Sequence, residues 1–189
     1  MLGLVPTLGV RARGFSLVEL MIGIAIMAIA VSLGMPSYRI WIENTRIRNG
    51  AESIQTGLQK ARFEALKRNV PVQLVLGANS AWTLSCVTAT QCADLIGGVL
   101  ETRTVSEGSS ASITVTPTPA ASTTIVFTNI GTVMPSPPAA SAPFTQVDID
   151  SSTLSATDSR DLRVMISAGG IGRMCDPYSG LSASDPRKC

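Results

Sequence analysis

Histidine is absent from all 189 residues, so the side chain that most often serves as general base and metal ligand near neutral pH is missing. A serine or cysteine nucleophile would therefore lack its usual base. The four cysteines, Cys86, Cys92, Cys175 and Cys189, have no CxxC spacing and no histidine beside them, which argues against a zinc centre. The acids Asp148, Asp150, Asp158 and Asp161 fall in a hydrophilic stretch and read as surface carboxylates. Neither a phosphate-cradling P-loop nor a dinucleotide fingerprint occurs, and Gly169 to Gly172 reads as a turn after a strand. These residues support no catalytic constellation, metal or cofactor, and the chain is expected not to be an enzyme.

One acid stands out because of its surroundings. Glu19 is the only charge between Phe15 and Leu33, a run of 19 otherwise uncharged residues that follows Arg11, Arg13 and Gly14. As a helix this run is about 30 Å long, enough to cross the hydrocarbon core of a bilayer. An ordinary secretory signal is cut behind a shorter apolar region, whereas here the small residue, Gly14, stands before it, so the anchor would be retained. An ionised glutamate in lipid costs about 2.5 kcal/mol or more, so a cation is expected to meet Glu19. Outside this run the chain has ordinary polarity, and the hydrophobic fraction of 45% and mean hydropathy of +0.31 owe much to it. The net charge is +2, and removal of the first fourteen residues would bring it to neutrality, too balanced to imply nucleic acid by bulk electrostatics.

The segment Gly14-Phe15-Ser16-Leu17-Val18-Glu19-Leu20 resembles the processing motif of the type IV prepilin family. The resemblance implies a leader over residues 1–14, cut after Gly14 by a prepilin peptidase, with methylation of the new Phe15 amine. Glu19 becomes the fifth residue of the processed chain, and Pro36 the twenty-second, where pilin helices commonly carry a kinking proline. In the family, the glutamate at this place is thought to meet the N-terminal amine of a neighbouring subunit, fixing register in the filament. A single-span anchor with a stray acid is the family-independent alternative.

Beyond Pro36, apolar or small residues at Ile47, Ala51, Ile54, Leu58, Ala61 and Ala65 recur every three or four positions, an amphipathic helix with Glu64 and Arg68 as an i,i+4 pair. Its basic surplus reads as a solvated face. Asn69 and Pro71 should end it. One long, Pro-kinked helix from Phe15 to Arg68 is expected, with residues 15–36 as the transmembrane and assembly half and 37–69 as the amphipathic half. Residues 70–189 read as a β-rich head. Strands are expected at Val72 to Leu76, Trp82 to Cys86, Ile113 to Thr116, Thr124 to Phe127, Phe144 to Ile149, Leu162 to Ser167 and Ile171 to Cys175. Gly77-Ala-Asn-Ser and Ala168-Gly-Gly are hairpin turns, and the Ser/Thr/Pro-rich pieces around Ser106 to Thr123 and Met134 to Pro143 are loops. The fold class is α+β: a helix covering one side of an antiparallel sheet, which is the pilin architecture. Ala61-Arg-Phe-Glu-Ala-Leu-Lys-Arg-Asn-Val-Pro-Val further resembles the helix end of the FimT/GspH branch, which includes minor pilins and the minor pseudopilins of type II secretion. Phe127-Thr-Asn-Ile-Gly and Gly172-Arg173 add weaker matches.

A periplasmic head would keep disulfides, and four cysteines can pair in three ways. The pairing expected is Cys86 with Cys92 and Cys175 with Cys189, the second tying down the tail for about 3 kcal/mol in the chain-entropy model. Some FimT-type pilins carry a C-terminal Gly-Arg-x-Arg motif for DNA; here Gly172-Arg173-Met174-Cys175 lacks the second arginine. Arg173, Arg187 and Lys188 would be the phosphate contacts if nucleic acid is a partner. Taken together, the resemblance implies a minor type IV pilin, single-pass in the bacterial inner membrane with a periplasmic head, then part of a pilus or pseudopilus. Its partners would be other major and minor pilins or pseudopilins, the prepilin peptidase and the inner-membrane assembly platform. A GspH-like pseudopilin and a DNA-binding pilin for transformation are the alternatives.

Overall fold

A computed structural model describes residues 14–120, 122–137 and 142–189. Arg11, Arg13 and the rest of the expected leader before Gly14 lie outside the described residues, as do residues 138–141 of the expected loop from Met134 to Pro143 and Ala121 of the one around Ser106 to Thr123. The first helix, α1, runs from Leu17 to Arg68. It begins two residues later than expected, a difference usual at helix termini. Pro36 lies inside it without breaking it, although its ring nitrogen has no hydrogen to give the Ser32 carbonyl. The helix stops at Arg68 because Asn69 takes the left-handed conformation (φ 55°) that closes helix C-termini, just ahead of Pro71.

The chain forms two compact units, residues up to Arg39 and from Ile40 onward. Within the second, the strands are β1 Val72–Leu76, β2 Trp82–Cys86, β3 Val99–Arg103, β4 Ile113–Thr118, β5 Thr124–Phe127, β6 Gln146–Ser151, β7 Leu162–Ile166 and β8 Gly172–Cys175, with a one-turn helix α2 at Val105–Gly108. They make two four-stranded antiparallel sheets, β3-β2-β1-β5 and β4-β6-β7-β8, rather than the single sheet expected. The loop after β5 stitches them: Val133 pairs with Phe127, and its amide donates to the Ala168 carbonyl in the β7–β8 turn at 3.0 Å. Gly170 in that turn has φ 78°, and a Cβ there would collide with the Gly131 carbonyl. Both expected hairpin turns close, with the Gly77 amide bonded to the Ala81 carbonyl at 2.9 Å and Ser167 to Ile171 at 3.1 Å.

Three further differences have local causes. Strand β3 was not expected, because Ile96-Gly-Gly before it reads as loop and its five residues do not alternate between buried and exposed. The stretch around Ser106 to Thr123 holds α2 and a β4 that extends two residues past Thr116, since pairing with β6 outweighs the poor strand propensity of Pro117. Strand β6 starts at Gln146 and not Phe144, whose side chain is fully buried just before it.

The core of the second unit sits between the C-terminal half of α1 and the two sheets. Ile47, Ala51, Ile54, Leu58, Ala61 and Ala65 are all buried, the face expected from their spacing. Gly57 allows the closest approach: a Cβ there would lie 2.9 Å from Leu74 Cδ1 and 3.0 Å from Trp82 Cε2. Trp82 is buried and donates its indole N–H to Ser53 Oγ at 3.1 Å, so its one polar atom is satisfied. Gly57→Val should overpack this contact and cost ~1–3 kcal/mol, read as a lowered midpoint in thermal unfolding of the detergent-solubilised chain. An unchanged midpoint would show that helix and sheet separate there without penalty.

Candidate functional site

Among the described residues, unit 1 is a helix whose residues are mostly exposed. Its 18-residue stretch of highest mean hydropathy, 2.3, has no buried residue, and Phe15 (82%) and Ile24 (60%) are typical in their exposure. Glu19 lies in the first turn of α1, where the helix dipole favours a negative charge. Gly14 and Phe15 precede the helix, so the expected cleavage bond sits in non-helical backbone. The site is a surface: apolar side chains with a single acid in the first turn of the helix. In water such a surface is unfavourable, at about 25 cal/mol per Å² of apolar area, so it suits lipid or other apolar helices.

In unit 2 the charges are paired locally. Arg68 ties the end of α1 to Asp94, two residues past the loop closed by the Cys86–Cys92 disulfide, bonding Glu64 at 2.9 Å and Asp94 at 3.0 Å. Those bonds raise the Arg68 pKa, and the guanidinium holds Asp94 below the usual carboxylate range. The second disulfide joins Cys175 to Cys189. Around it, Arg173 donates to the Pro186 and Lys188 carbonyls at 3.0 and 3.1 Å, Lys188 Nζ donates to the Leu181 carbonyl at 3.0 Å, and Arg187 pairs with Asp185 at 2.8 Å. The three cations considered for phosphate are thus brought together, with donors engaged by the tail's own oxygens.

The acids singled out in sequence are not all on the surface. Asp148 and Asp150 are half-buried on β6, and Asp148 accepts from Arg163 Nε of β7 at 2.5 Å, while Asp158 and Asp161 are exposed. Ser159 Oγ lies 2.8 Å from an Asp150 oxygen and 2.6 Å from one of Asp161. A hydroxyl has one proton to give, which the two carboxylates share. Although the residue is exposed as a whole, partial desolvation of its carboxyl, with the Asp150 hydrogen bond and the Asp150 and Asp148 charges, raises the Asp161 pKa against the Ser159 bond. Burial also works against the Asp150 charge, but bonds from Asp161, Ser159 and the Ser151 amide outweigh it and leave that pKa lowered.

Two residues that sequence did not single out hold surface segments of the head, Asn44 the loop after β6 and Glu43 the start of β4. Asn44 of α1 donates to the Asp158 carbonyl at 2.9 Å and accepts from the Arg160 amide at 2.8 Å, and Glu43 accepts from Ser112 Oγ at 2.8 Å. Their partners lie some seventy or more positions away, so no local pattern announces them.

Residues 50–170 match the family model of the type II transport protein GspH, and residues 10–35 match the prokaryotic N-terminal methylation motif. The chain belongs to the GspH family, as a type IV pilin-like subunit. Two crystal structures of the type IV minor pilin FimU from Pseudomonas aeruginosa are similar. One is 18% identical, covering 76% of this chain and 97% of that one with a TM-score of 0.47. The other is 21% identical, covering 67% and 90%, with a TM-score of 0.44. GspH-family proteins are structural subunits and not enzymes, they meet other pilins in a filament, and the N-terminal apolar helix is the membrane anchor.

In this GspH-family head the tail has a pH-dependent fastening. Arg187 side-chain and backbone bonds lower Asp185 to about 2, below its unfolded value of ~3.9. Its contribution is therefore complete above the unfolded value and is lost as pH falls through the folded one. Amides of residues 176–189 should keep their hydrogen-exchange protection from neutral pH to about 4 and lose part of it toward about 2, and Asp185→Asn should remove this dependence. A profile unchanged by Asp185→Asn would assign the tail's order to the disulfide alone.

Proposed function

We propose that this chain is a minor pilin that primes or caps a filament assembled from the bacterial inner membrane. A prepilin peptidase cuts after Gly14, and the Phe15 amine is methylated. The processed chain crosses the membrane once with its head in the periplasm, and an assembly platform draws it into the filament. There the residue 15–36 half of α1 packs among other subunits' helices, with Pro36 as the kink that fits it to them. Glu19 meets the N-terminal amine of a neighbour and neutralises both charges where water is scarce. The carrying observation is the wholly exposed apolar helix with one acid at its start. Residues 70–189, stapled by the two disulfides, serve as the head that selects neighbours.

A second reading is favoured by the match of residues 50–170 to the type II transport protein GspH: the same subunit in a secretion pseudopilus. A third reading keeps Arg173, Arg187 and Lys188 as phosphate contacts: each gives one or two donors to oxygens of the tail and retains others.

The membrane-extracted protein, made beside its cognate peptidase, should have an intact mass and N-terminus corresponding to a methylated Phe15. A chain still starting at Met1, or cut elsewhere, would falsify the processing reading. Glu19→Ala should leave membrane insertion intact while reducing recovery in sheared filaments by about tenfold or more, on the order of one desolvated charge pair. Recovery in surface pili or in pseudopili decides between the two readings.

A further inference from the structure

Between Glu19 and Arg39 the first part of α1 carries no charge: Leu20 to Tyr38 are 19 uncharged residues, and the helix runs through Pro36 without a break. At about 1.5 Å per residue the acid and the cation stand about 30 Å apart along the helix, the thickness of the hydrocarbon core of a bilayer. Every residue from Gly14 to Arg39 is exposed.

The Arg39 end has the makings of an interfacial anchor. Tyr38 is 59% exposed and Trp41 is 63% exposed, and both are residue types that gather where lipid meets water, with an apolar body and a polar tip. Arg39 gives one donor to Met35 Sδ at 3.8 Å and keeps the rest of its fork for other acceptors, of which lipid phosphate oxygens suit it best. With this end fixed in one headgroup layer, Glu19 reaches the headgroup layer of the opposite leaflet. A span placed over the apolar run from Phe15 to Leu33 would instead submerge Glu19. The choice lies between burying one carboxylate and burying Phe15, Leu17 and Val18. On insertion scales a single charge outweighs three apolar side chains, so the span shifts toward Arg39.

We propose that, before assembly, the Glu19 carboxylate is met by the primary ammonium of an aminophospholipid headgroup in the leaflet on the N-terminal side. Assembly then exchanges this lipid ammonium for the N-terminal amine of a neighbouring subunit. A headgroup bearing both an ammonium and a phosphate answers both ends of the span, the ammonium at Glu19 and the phosphate at Arg39. A primary ammonium has three N–H donors for the carboxylate, whereas the methylated nitrogen of a choline headgroup has none, so Glu19 discriminates between the two lipids. This inference rests on α1 being the membrane anchor of a filament subunit.

The test uses the full-length chain, reconstituted sparsely in vesicles of phosphatidylethanolamine and phosphatidylcholine in equal parts. A membrane-permeant carbodiimide then joins any carboxylate to an amine touching it, forming an amide while the carbodiimide takes up the water. Peptide mass mapping should find Glu19 joined to phosphatidylethanolamine, and vesicles of phosphatidylcholine alone should yield no lipid adduct. Moving the acid seven positions, about 10 Å, deeper with Glu19→Gln and Ile26→Glu should lower the adduct per retained chain about tenfold. Retention is read in parallel as the fraction of chain left in the vesicles after an alkaline carbonate wash. A retained chain whose Glu19 couples only to a protein amine or to nothing, or whose deeper carboxyl couples as well as Glu19, overturns the proposal and leaves the anchor in place. If the wash strips the unaltered chain from the vesicles, the anchor reading fails and this proposal with it.

Discussion

Helix α1 carries two apolar surfaces, and the physical demand that each leave water organises everything else. From Ile47 to Ala65 the surface is a narrow stripe of small and aliphatic side chains, and the two sheets cover it completely. From Phe15 to Leu33 the side chains are apolar but for Glu19 and a few small polar ones, and among the described residues none of them is buried. A stripe is what a surface helix presents to a core, whereas a helix apolar all round needs lipid or a bundle. One helix thus serves two solvents, and the acid at its start is tolerable only where a charge can be met.

The head answers the stripe with close packing. Gly57 lets the helix approach Leu74 and Trp82, and Ser53 satisfies the indole that this burial would otherwise strand. The outer polar groups then work mainly as fasteners. Arg68 joins the helix end to Asp94 just past the first disulfide loop, Asn44 holds the loop after β6, and Arg173 holds the tail beside the second disulfide. Each fastener is a single side chain whose loss would free a surface segment and leave the core intact, the pattern expected where loops face variable partners.

Much of this was legible. The three- and four-residue spacing from Ile47 to Ala65 predicts the buried face because only that period keeps side chains on one side of a helix. Runs such as Val72 to Leu76 and Trp82 to Cys86 are short, apolar at alternate positions and bounded by turn residues, and they match observed strands. Strand β3 escaped because it is an edge strand with few inward side chains, and its pairing with β2 is specified across the chain and not within it. For the same reason the division into two sheets was invisible: local alternation names strands but says nothing about which of them share hydrogen bonds.

The sequence by itself determined the motif around Gly14 and Glu19, the length of the apolar run and the amphipathic second half, since each depends on residues close together along one helix. Tertiary structure alone decided that Asp148 is half-buried and ion-paired, that Arg173 and Lys188 each donate to carbonyls of the tail, and that Asn44 holds the loop after β6. Those outcomes depend on which distant groups reach within about 3 Å, the range in which hydrogen bonds form, and composition and spacing carry no record of that distance.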